Sequence, residues 1–362
     1  MNVFASVTSG IGHSAVREFP LPDIGADAGL LRVEAAGVCG SDVNSYRRNA
    51  TPRIMGHENV GVIEQIGELA AQRWGVTIGD RVALEEYLPC GHCRYCRTSE
   101  FRLCFETDPR MSGGVRYGST GIDVVPSLWG GYSQYLYLHP RSVLHSVPAS
   151  VPAELLTLAL PLGNGFEWAT VLGGAAPGKL VGVFGPGQQG LACMLAAKAA
   201  GADLVVGFGL DRDSRRLEVA RALGADHTVD VSKADPVEVV RDLTGGQLLD
   251  VVIDTAAGSR ATLVPAVDML RHTGTLVVPA GNSDVDGFPI GKVRQKFLTV
   301  RGARGHGYSS VTWAINLIAA QRLPLELMTT HRVGLDRVDF AIRSTGGEFG
   351  PDAIHAAVEP WR

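Results

Sequence analysis

A glycine-rich turn in the middle of the chain constrains its fold most. Gly185, Gly187 and Gly190 have the G-x-G-x-x-G spacing. In this spacing the first glycine allows a tight turn, the second lets backbone approach a pyrophosphate, and the third lets a helix pack on a strand. The helix that opens here, with Gln188 and Gln189 in its first turn, would direct unpaired N–H groups at phosphate oxygens. The turn therefore predicts a dinucleotide site.

A carboxylate follows the next apolar run. Asp211 lies shortly after Leu204 to Phe208 and about 20 residues past the third glycine, where an acid holds a ribose 2′-OH. Because a carboxylate repels a 2′-phosphate, we expect NAD, while Arg212 and Arg215 keep NADP as the alternative. The other interpretation is an ordinary βαβ turn that binds nothing.

The second half of the chain alternates between two kinds of segment. The predicted strands are Leu180 to Phe184, Leu204 to Phe208, Thr228 to Val231, Asp250 to Asp254, Thr275 to Pro279 and Leu298 to Arg301. The predicted helices are Gly190 to Ala200, Ser214 to Leu223, Pro236 to Thr244 and Ser259 to Arg271, the last interrupted by Pro265. Such alternation predicts a doubly wound parallel sheet over residues 149–300.

The regions on either side of this segment differ in their pattern of apolar residues. In residues 1–148 the apolar runs are short and broken, which predicts a strand-rich domain with long loops. These runs are Leu30 to Val33, Val60 to Ile66, Arg81 to Leu84 and Tyr135 to Leu138. Residues 301–362 return to short mixed elements and are expected to complete the first domain.

Composition narrows the class of protein. The chain has 362 residues, of which 45% are hydrophobic and 19% charged, as in soluble globular proteins. A net charge of −4 does not predict binding to nucleic acid or to an anionic membrane, both of which favour basic proteins. The N-terminal residues lack a basic start and an apolar core, so a cytoplasmic protein is expected. In a reducing compartment, cysteines point to metal ligation rather than disulfides.

Four of the six cysteines lie close together in the sequence. Cys90, Cys93, Cys96 and Cys104 can converge on one tetrahedral ion, and the lobe of about residues 86–108 has too little core to fix its own shape. A zinc ion held by four thiolates has no open position, so its role would be structural. An iron–sulfur cluster or four unligated thiols are the alternatives.

A second set of metal-ligating types lies nearer the N-terminus. Cys39, His57 and Glu58 offer a thiol, an imidazole and a carboxylate, and Asp42 could orient the imidazole from behind. Ser41 is two residues from the thiol. The alternative is that the cysteine and the histidine are buried core residues.

Taken in order, these motifs resemble the zinc-containing medium-chain dehydrogenases, the alcohol and polyol dehydrogenase group. The motifs are residues 37–42, 56–58 and 79–82, the four-cysteine lobe, the glycine turn, residues 216–218 and residues 224–226, so the resemblance covers nearly the whole chain. It implies a GroES-like catalytic domain, a Rossmann domain, one structural and one catalytic zinc ion, and a homodimer or homotetramer. It also makes Cys39 and His57 ligands of the catalytic zinc.

The chemistry that the resemblance implies is hydride transfer. Zinc polarises the oxygen of an alcohol or carbonyl, and the carbon that bears this oxygen exchanges a hydride with nicotinamide. Ser41 occupies the position of the family's relay hydroxyl. Three aromatic residues, Tyr87, Trp129 and Trp168, lie near the family's pocket segments and would suit an apolar or aromatic secondary alcohol or ketone. Their alternative role is in the core.

The sequence departs from the family where a further zinc ligand is expected. Leu160 and Asn164 stand at positions where relatives carry a glutamate or a cysteine. Three ligand sets stay open: Glu58 binds zinc directly, Asn164 supplies its amide oxygen, or water fills the gap. Glu58 is favoured because thiolate plus carboxylate neutralises the dication. Glu167 is an outside candidate, more readily a helix residue that faces solvent.

Two departures bear on function. Asn44 stands where relatives of the liver type carry a relay histidine, so the proton would leave by another route after Ser41. The unusual ligand set keeps two alternative functions open. One is reduction of an activated carbon–carbon double bond without catalytic zinc, and the other is a non-catalytic nucleotide-binding protein.

Overall fold

The computed structural model describes residues 2–108, 113–256, 261–279 and 285–362. The chain forms two compact units. The first comprises Met1–Leu160, Ile315–Arg322 and Thr329–Arg362, and the second comprises Pro161–Ala314 and Leu323–Met328. The sequence-based division at residues 148 and 300 remains a prediction of domain boundaries.

The strands of the described residues are, in chain order, β1 Asn2–Gly10, β2 His13–Pro20, β3 Gly29–Gly37, β4 Arg53–Ile54, β5 Glu58–Ile66, β6 Arg81–Leu84, β7 Tyr135–Leu138, β8 Leu144–Ser146, β9 Leu180–Phe184, β10 Leu204–Gly209, β11 His227–Asp230, β12 Leu249–Asp254, β13 Leu270–Val278, β14 Thr299–Gly302, β15 Thr329–Val333 and β16 His355–Val358. The helices are α1 Gly40–Arg48, α2 Glu68–Trp74, α3 Arg94–Arg97, α4 Ala153–Leu156, α5 Ala159–Phe166, α6 Gln188–Ala199, α7 Ser214–Ala222, α8 Pro236–Leu243, α9 Leu263–Met269, α10 Ile290–Gln295, α11 Tyr308–Ala319 and α12 Val338–Thr345.

The first unit is built on two β-sheets. One has the strand order β2-β1-β4, and the other has the order β15-β16-β3-β5-β6-β8 with β7 also paired to β3. Strand β3 is central and buried along most of its length. It pairs antiparallel with both β5 and β16, so the ends of three strands meet beside Gly37. This junction positions the site described below.

The second unit carries one six-stranded parallel sheet. Its order is β11-β10-β9-β12-β13-β14, which is 3-2-1-4-5-6 in order of appearance and is the doubly wound dinucleotide-binding topology. Strand β12 is buried throughout because parallel sheets are covered on both faces. Phe184 and Phe208 stack between neighbouring strands with ring centroids 4.8 Å apart. The predicted α/β fold class is confirmed.

One predicted helix differs from the structure. The segment predicted as a helix up to Arg271 forms the shorter α9, Leu263–Met269, and Leu270 already begins β13. Pro265 lies in the first turn of α9, where its missing N–H costs little. Ser259, the predicted start, lies outside the described residues.

Among the residues that the structure describes, one apolar helical stretch meets the length and composition expected of a membrane span. It runs from Ala153 to Leu172, and 72% of its most apolar part is buried inside the protein. Burial of this extent is typical of a core helix. Its last turn, Glu167–Leu172, is π-helical.

Candidate active site

Three potential metal ligands converge where β3, β5 and α1 meet. Cys39 is the residue before α1, and His57 is the residue before β5, whose first residue is Glu58. Gly37 at the end of β3 pairs directly with Glu58. One donor atom from each of Cys39, His57 and Glu58 lies within 4.8 Å of the other two. Antiparallel pairing thus brings together residues that are separated in the sequence.

The close approach of Glu58 depends on a missing side chain. A Cβ atom added to Gly37 would lie 2.3 Å from Glu58 Oε2 and 2.6 Å from His355 Cε1. No real Cβ tolerates contacts this short, so only glycine fits between the carboxylate and the imidazole. Gly37 therefore fixes where the Glu58 carboxylate can lie.

Asp42 connects the other two donor residues. Its Oδ2 atom accepts hydrogen bonds from the backbone N–H of Cys39 and from the hydroxyl of Tyr132, both at 3.0 Å. Its Oδ1 atom lies 3.3 Å from His57 Nδ1. Because Asp42 is 3% exposed, this carboxylate is committed to holding the cluster, and His57 keeps Nε2 for a ligand.

The electrostatics of the cluster reflect its burial. Burial raises the pKa of the Cys39 thiol, and the charge of Glu58 raises it further. Burial also opposes protonation of His57, yet the negative charges of Asp42 and Glu86 outweigh it, so the pKa of His57 lies well above its usual value. A divalent cation would relieve this concentration of negative charge.

The predicted proton relay begins at an exposed hydroxyl. Ser41 is exposed, and its Oγ lies 3.4 Å from His57 Nε2. Asn44, three residues later in α1, is also exposed. A proton passed outward by Ser41 would therefore meet solvent on this face of the unit.

A second histidine lies behind Glu58. His355, the first residue of β16, is fully buried, and its Nδ1 lies 3.8 Å from Glu58 Oε2. Its Nε2 lies 2.9 Å from the hydroxyl of Thr157. Burial lowers the pKa of His355 to about 3, so the ring is neutral at pH 7. Nothing in the spacing of residues 157 and 355 reveals this pair in advance.

The four-cysteine cluster is compact and local. One sulfur from each of Cys90, Cys93, Cys96 and Cys104 lies within 4.8 Å of the others, and no disulfide links them. Backbone N–H groups of the lobe point at the sulfurs, as in the 3.4 Å contacts from Cys90 N to Cys104 Sγ and from Cys93 N to Cys90 Sγ. The N–H of Cys96 contributes most to lowering the pKa of Cys93, to about 7.

Both clusters fit a zinc ion by the chemistry of their donors. Four free thiols within 4.8 Å of one another match a closed tetrahedral site. The thiol, imidazole and carboxylate of the other cluster match a site with three protein ligands, which leaves one position for substrate.

In the second unit the glycine turn has the geometry that its spacing predicts. Gly185 has φ +85°, and a Cβ atom at Gly190 would lie 1.9 Å from the carbonyl oxygen of Gly185. A Cβ atom at Gly187 would meet nothing within 4 Å, which leaves room for a phosphate. Helix α6 opens directly afterwards at Gln188, and no described residue hydrogen-bonds the buried Oε1 of Gln189. The turn therefore fits a dinucleotide.

Asp211 does not lie at the end of a strand. Strand β10 runs to Gly209, one residue further than predicted, and Asp211 opens a 3-10 turn that ends at Asp213. The Asp211 carboxylate is 70% exposed and pairs with Lys233, which also pairs with Asp230 at 2.8 Å. Arg212 is likewise exposed.

Asn164 and Glu167 make their contacts inside the second unit. Asn164 Oδ1 lies 2.8 Å from His306 Nδ1. The expectation that Glu167 faces solvent is wrong, since it is 2% exposed and accepts hydrogen bonds from Gly307 N at 3.1 Å and Ser310 Oγ at 2.7 Å. The Glu167 side chain therefore points toward the start of α11 rather than toward water.

The three aromatic residues predicted to line a pocket are buried. Tyr87 is 0% exposed, Trp129 2% and Trp168 6%. The indole N–H groups donate to backbone carbonyls, of Val124 from Trp129 and of Gly305 from Trp168. These contacts favour the core alternative, and a preference for apolar or aromatic substrates stays a prediction from the sequence.

Sequence reasoning missed a charged pair beside His57. Glu86 accepts from Arg116 Nε at 3.1 Å, and the guanidinium lies 4.7 Å from the ring centroid of Tyr87. Both charged side chains are mostly buried, with exposures of 17% and 13%. In the sequence, the one feature that pointed to this pair was the two consecutive glutamates at residues 85–86, directly after a predicted strand.

The chain is similar to known proteins over most of its length. The alcohol dehydrogenase GroES-like domain matches residues 25–149, and the zinc-binding dehydrogenase domain matches residues 190–320. A probable alcohol dehydrogenase of Mycobacterium tuberculosis is 39% identical over 353 residues, 95% of each chain. L-threonine 3-dehydrogenase of Bacillus subtilis is 30% identical over 90% of each chain.

A solved structure supports the fold. The crystal structure of an alcohol dehydrogenase from Thermotoga maritima superimposes with a TM-score of 0.87 at 24% identity, covering 99% of this chain and 100% of that one. Together with the two domain matches and the relatives over nearly full length, this similarity extends to both units. The chain therefore belongs to the zinc-containing medium-chain dehydrogenases, oxidoreductases that act on CH–OH groups.

Proposed function

We propose that this protein is an NAD-dependent dehydrogenase that interconverts a secondary alcohol and its ketone at a zinc ion held by Cys39, His57 and Glu58. One observation carries the proposal: the donor atoms of these three residues lie within 4.8 Å of one another at paired strand ends. A second zinc ion, held by the four-cysteine cluster, is structural.

The choice of Glu58 as third ligand rests on charge and on contacts. A thiolate and a carboxylate together neutralise a divalent cation, whereas Asn164 would leave a net positive charge. The Asn164 amide oxygen is already within hydrogen-bond distance of His306. Glu58 instead offers a carboxylate oxygen within 4.8 Å of the donor atoms of Cys39 and His57.

When bound, zinc would polarise the substrate oxygen, and nicotinamide would exchange a hydride with the adjacent carbon. The side chains of the protein prepare this step. Asp42 holds His57 through Nδ1 and fixes the backbone at Cys39. Ser41 carries the proton of the substrate hydroxyl outward, because its Oγ lies 3.4 Å from His57 Nε2 and the residue is exposed to solvent.

The preference for NAD follows from the charges after β10. Lys233, one of the cations after β10 that could attract a 2′-phosphate, is already paired with two carboxylates, those of Asp211 and Asp230. Asp211 itself repels a phosphate. We expect NAD to bind more tightly than NADP, and Asp211→Ala to narrow that difference in a fluorescence titration with each reduced cofactor.

The remaining proposals follow from the family. We propose a small-molecule alcohol or carbonyl as the partner, a cytoplasmic location, and a homodimer or homotetramer, which light scattering of the purified protein tests.

The decisive experiment is zinc per chain in the wild type and in Cys39→Ala, measured with alcohol oxidation on a panel of secondary alcohols. We expect two ions in the wild type, one in the variant, and loss of activity with the missing ion. One ion in the wild type with no effect of Cys39→Ala would refute the proposed function.

A further inference from the structure

The pairing of β5 with β6 brings Glu86 next to His57. Asn59 of β5 lies opposite Leu84, the last residue of β6. Continued for two residues past the strand end, this antiparallel register places Glu86 opposite His57. The electrostatics agree, because the charges of Asp42 and then of Glu86 raise the pKa of His57 against the effect of burial. Glu86 therefore borders the three-donor cluster.

Arg116 lies on a loop that packs against the same histidine. A Cβ atom at Gly118 would lie 3.2 Å from His57 Cβ, so the backbone of the loop is in direct contact with this residue. The Tyr117 N–H donates to the carbonyl oxygen of Glu86 at 3.2 Å, and Arg116 Nε donates to Glu86 Oε2 at 3.1 Å. Backbone and side-chain contacts thus hold the two charged groups together beside His57.

The ion pair is partly buried and electrically balanced. The side chains of Glu86 and Arg116 are 17% and 13% exposed, and the guanidinium lies 4.7 Å from the centroid of the Tyr87 ring. Opposite charges this close cancel at a distance, so the pair does not attract an acid or an amine by net charge. A hydroxyl group can donate to a carboxylate and accept from a guanidinium. The pair is therefore suited to a neutral hydroxyl.

Only one part of a substrate would meet this pair. A substrate whose reacting oxygen binds at the three-donor cluster is next to His57, one of the proposed ligands. Because Glu86 and Arg116 border that residue, they would face the substituent on the carbon next to the reacting one. The low exposure of both side chains strengthens any hydrogen bond formed there.

We propose that Glu86 and Arg116 are specificity-determining residues that bind a second hydroxyl group, on the carbon next to the reacting one. They favour a neutral vicinal diol, or the corresponding hydroxyketone, over a simple secondary alcohol. This inference rests on the proposed function and narrows the substrate class of the same site. A substituent with a full charge fits less well, because it meets a like charge in one member of the pair.

The test compares butane-2,3-diol with butan-2-ol, which lacks only the second hydroxyl. The measured quantity is the ratio of their kcat/KM values in the wild type and in Glu86→Leu/Arg116→Met. Apolar replacement of both members of a buried ion pair is often tolerated. The ratio cancels effects on zinc binding that both substrates share. We expect it to fall at least about tenfold, which corresponds to one hydrogen bond to a charged group.

The matched control is Glu34→Leu/Arg81→Met. This ion pair is buried to a similar extent, with exposures of 26% and 12%, and Arg81 begins β6, at the other end of the strand from Glu86. The ratio should keep its wild-type value in the control. An equal fall in the control would overturn the inference, and so would an unchanged ratio in a folded Glu86→Leu/Arg116→Met.

Arg116→Lys applies where the apolar double variant does not fold. Lysine keeps the positive charge beside Glu86 but replaces the planar fork of donors by a single ammonium group. We expect the ratio to fall in this variant through a higher KM for the diol. The KM for butan-2-ol should change less, since this alcohol has no second hydroxyl. Equal changes in both KM values would overturn the inference.

The wild type distinguishes the two levels of the argument. If it oxidises neither alcohol and binds one zinc ion, the proposed function fails. If it binds two zinc ions and oxidises butan-2-ol, while the ratio is the same in Glu86→Leu/Arg116→Met, only the role of Glu86 and Arg116 is refuted.

Discussion

The two potential zinc clusters of the first unit are assembled in opposite ways. The four-cysteine cluster takes all its donors from residues 90–104, and backbone N–H groups of the same lobe support the sulfurs. The three-donor cluster joins the ends of separate elements. Its support comes from Asp42, three residues after Cys39, and from Tyr132, which is distant in sequence from all three donors.

The difference follows from what each cluster has to do. A closed set of four thiolates needs only to crosslink a lobe with little core, so local chain geometry is enough. A site with three ligands must keep a position open and hold each ligand in one orientation, which requires buried polar partners. We therefore expect damage to the first cluster to appear in stability and damage to the second in metal affinity and activity.

The largest effect is expected from Cys96→Ala. Zinc binding supplies roughly 10–16 kcal/mol of apparent free energy in isolated zinc-finger peptides, so losing one thiolate should lower the unfolding free energy of the unit by more than about 3 kcal/mol. Thermal unfolding followed by circular dichroism measures it. The control is Cys193→Ala, at a buried cysteine outside both clusters. An unchanged midpoint of thermal unfolding in Cys96→Ala would contradict the structural role of the four-cysteine cluster.

A smaller effect is expected from Asp42→Asn. The amide keeps the shape of Asp42 but loses the charge that holds His57 Nδ1. Zinc affinity at the three-donor site should fall by about 10-fold to 100-fold, with catalytic efficiency falling alongside, while the four-cysteine site is unchanged. Chelator competition on the purified variant checks this, and equal weakening at both sites would contradict it.

The smallest effect is expected from Tyr132→Phe. This change removes one hydrogen bond to Asp42, the 3.0 Å contact from the Tyr132 hydroxyl. A hydrogen bond of this kind is worth about 1–2 kcal/mol, so zinc affinity should fall by no more than about 30-fold. The matched control is Tyr117→Phe, which removes a buried 2.7 Å contact to Ser142 instead. A drop in zinc affinity as large in the control would remove any special role for Tyr132.

The comparison also shows what the sequence can reveal. Cysteine spacing predicts the local cluster because its donors are neighbours in the chain. Strand and turn signals likewise predict β9, β10 and the glycine turn before α6 closely. Residue types and the family resemblance together predict the candidate zinc ligands Cys39, His57 and Glu58.

Apart from Asp42, which the sequence analysis expected to orient the imidazole, the residues around the three-donor cluster could not be found in this way. His355 reaches Glu58 only because β16 pairs with β3, and Thr157 meets His355 only through the fold of the first unit. Burial of Glu167 depends on its tertiary contacts with Gly307 and Ser310. Such features depend on packing between residues far apart in the chain, and sequence periodicity reports only local secondary structure.

The end of β10 has a consequence for engineering. A Cβ atom at Gly209 would lie 2.9 Å from Pro186 Cγ and 3.2 Å from Asp213 Cβ. A designer who wishes to install a carboxylate at the strand end, the usual route to tighter NAD selection, would first have to replace Pro186 in the glycine turn. The exposed pair of Asp211 and Lys233 can be redesigned without disturbing the core, so cofactor redesign is best begun there.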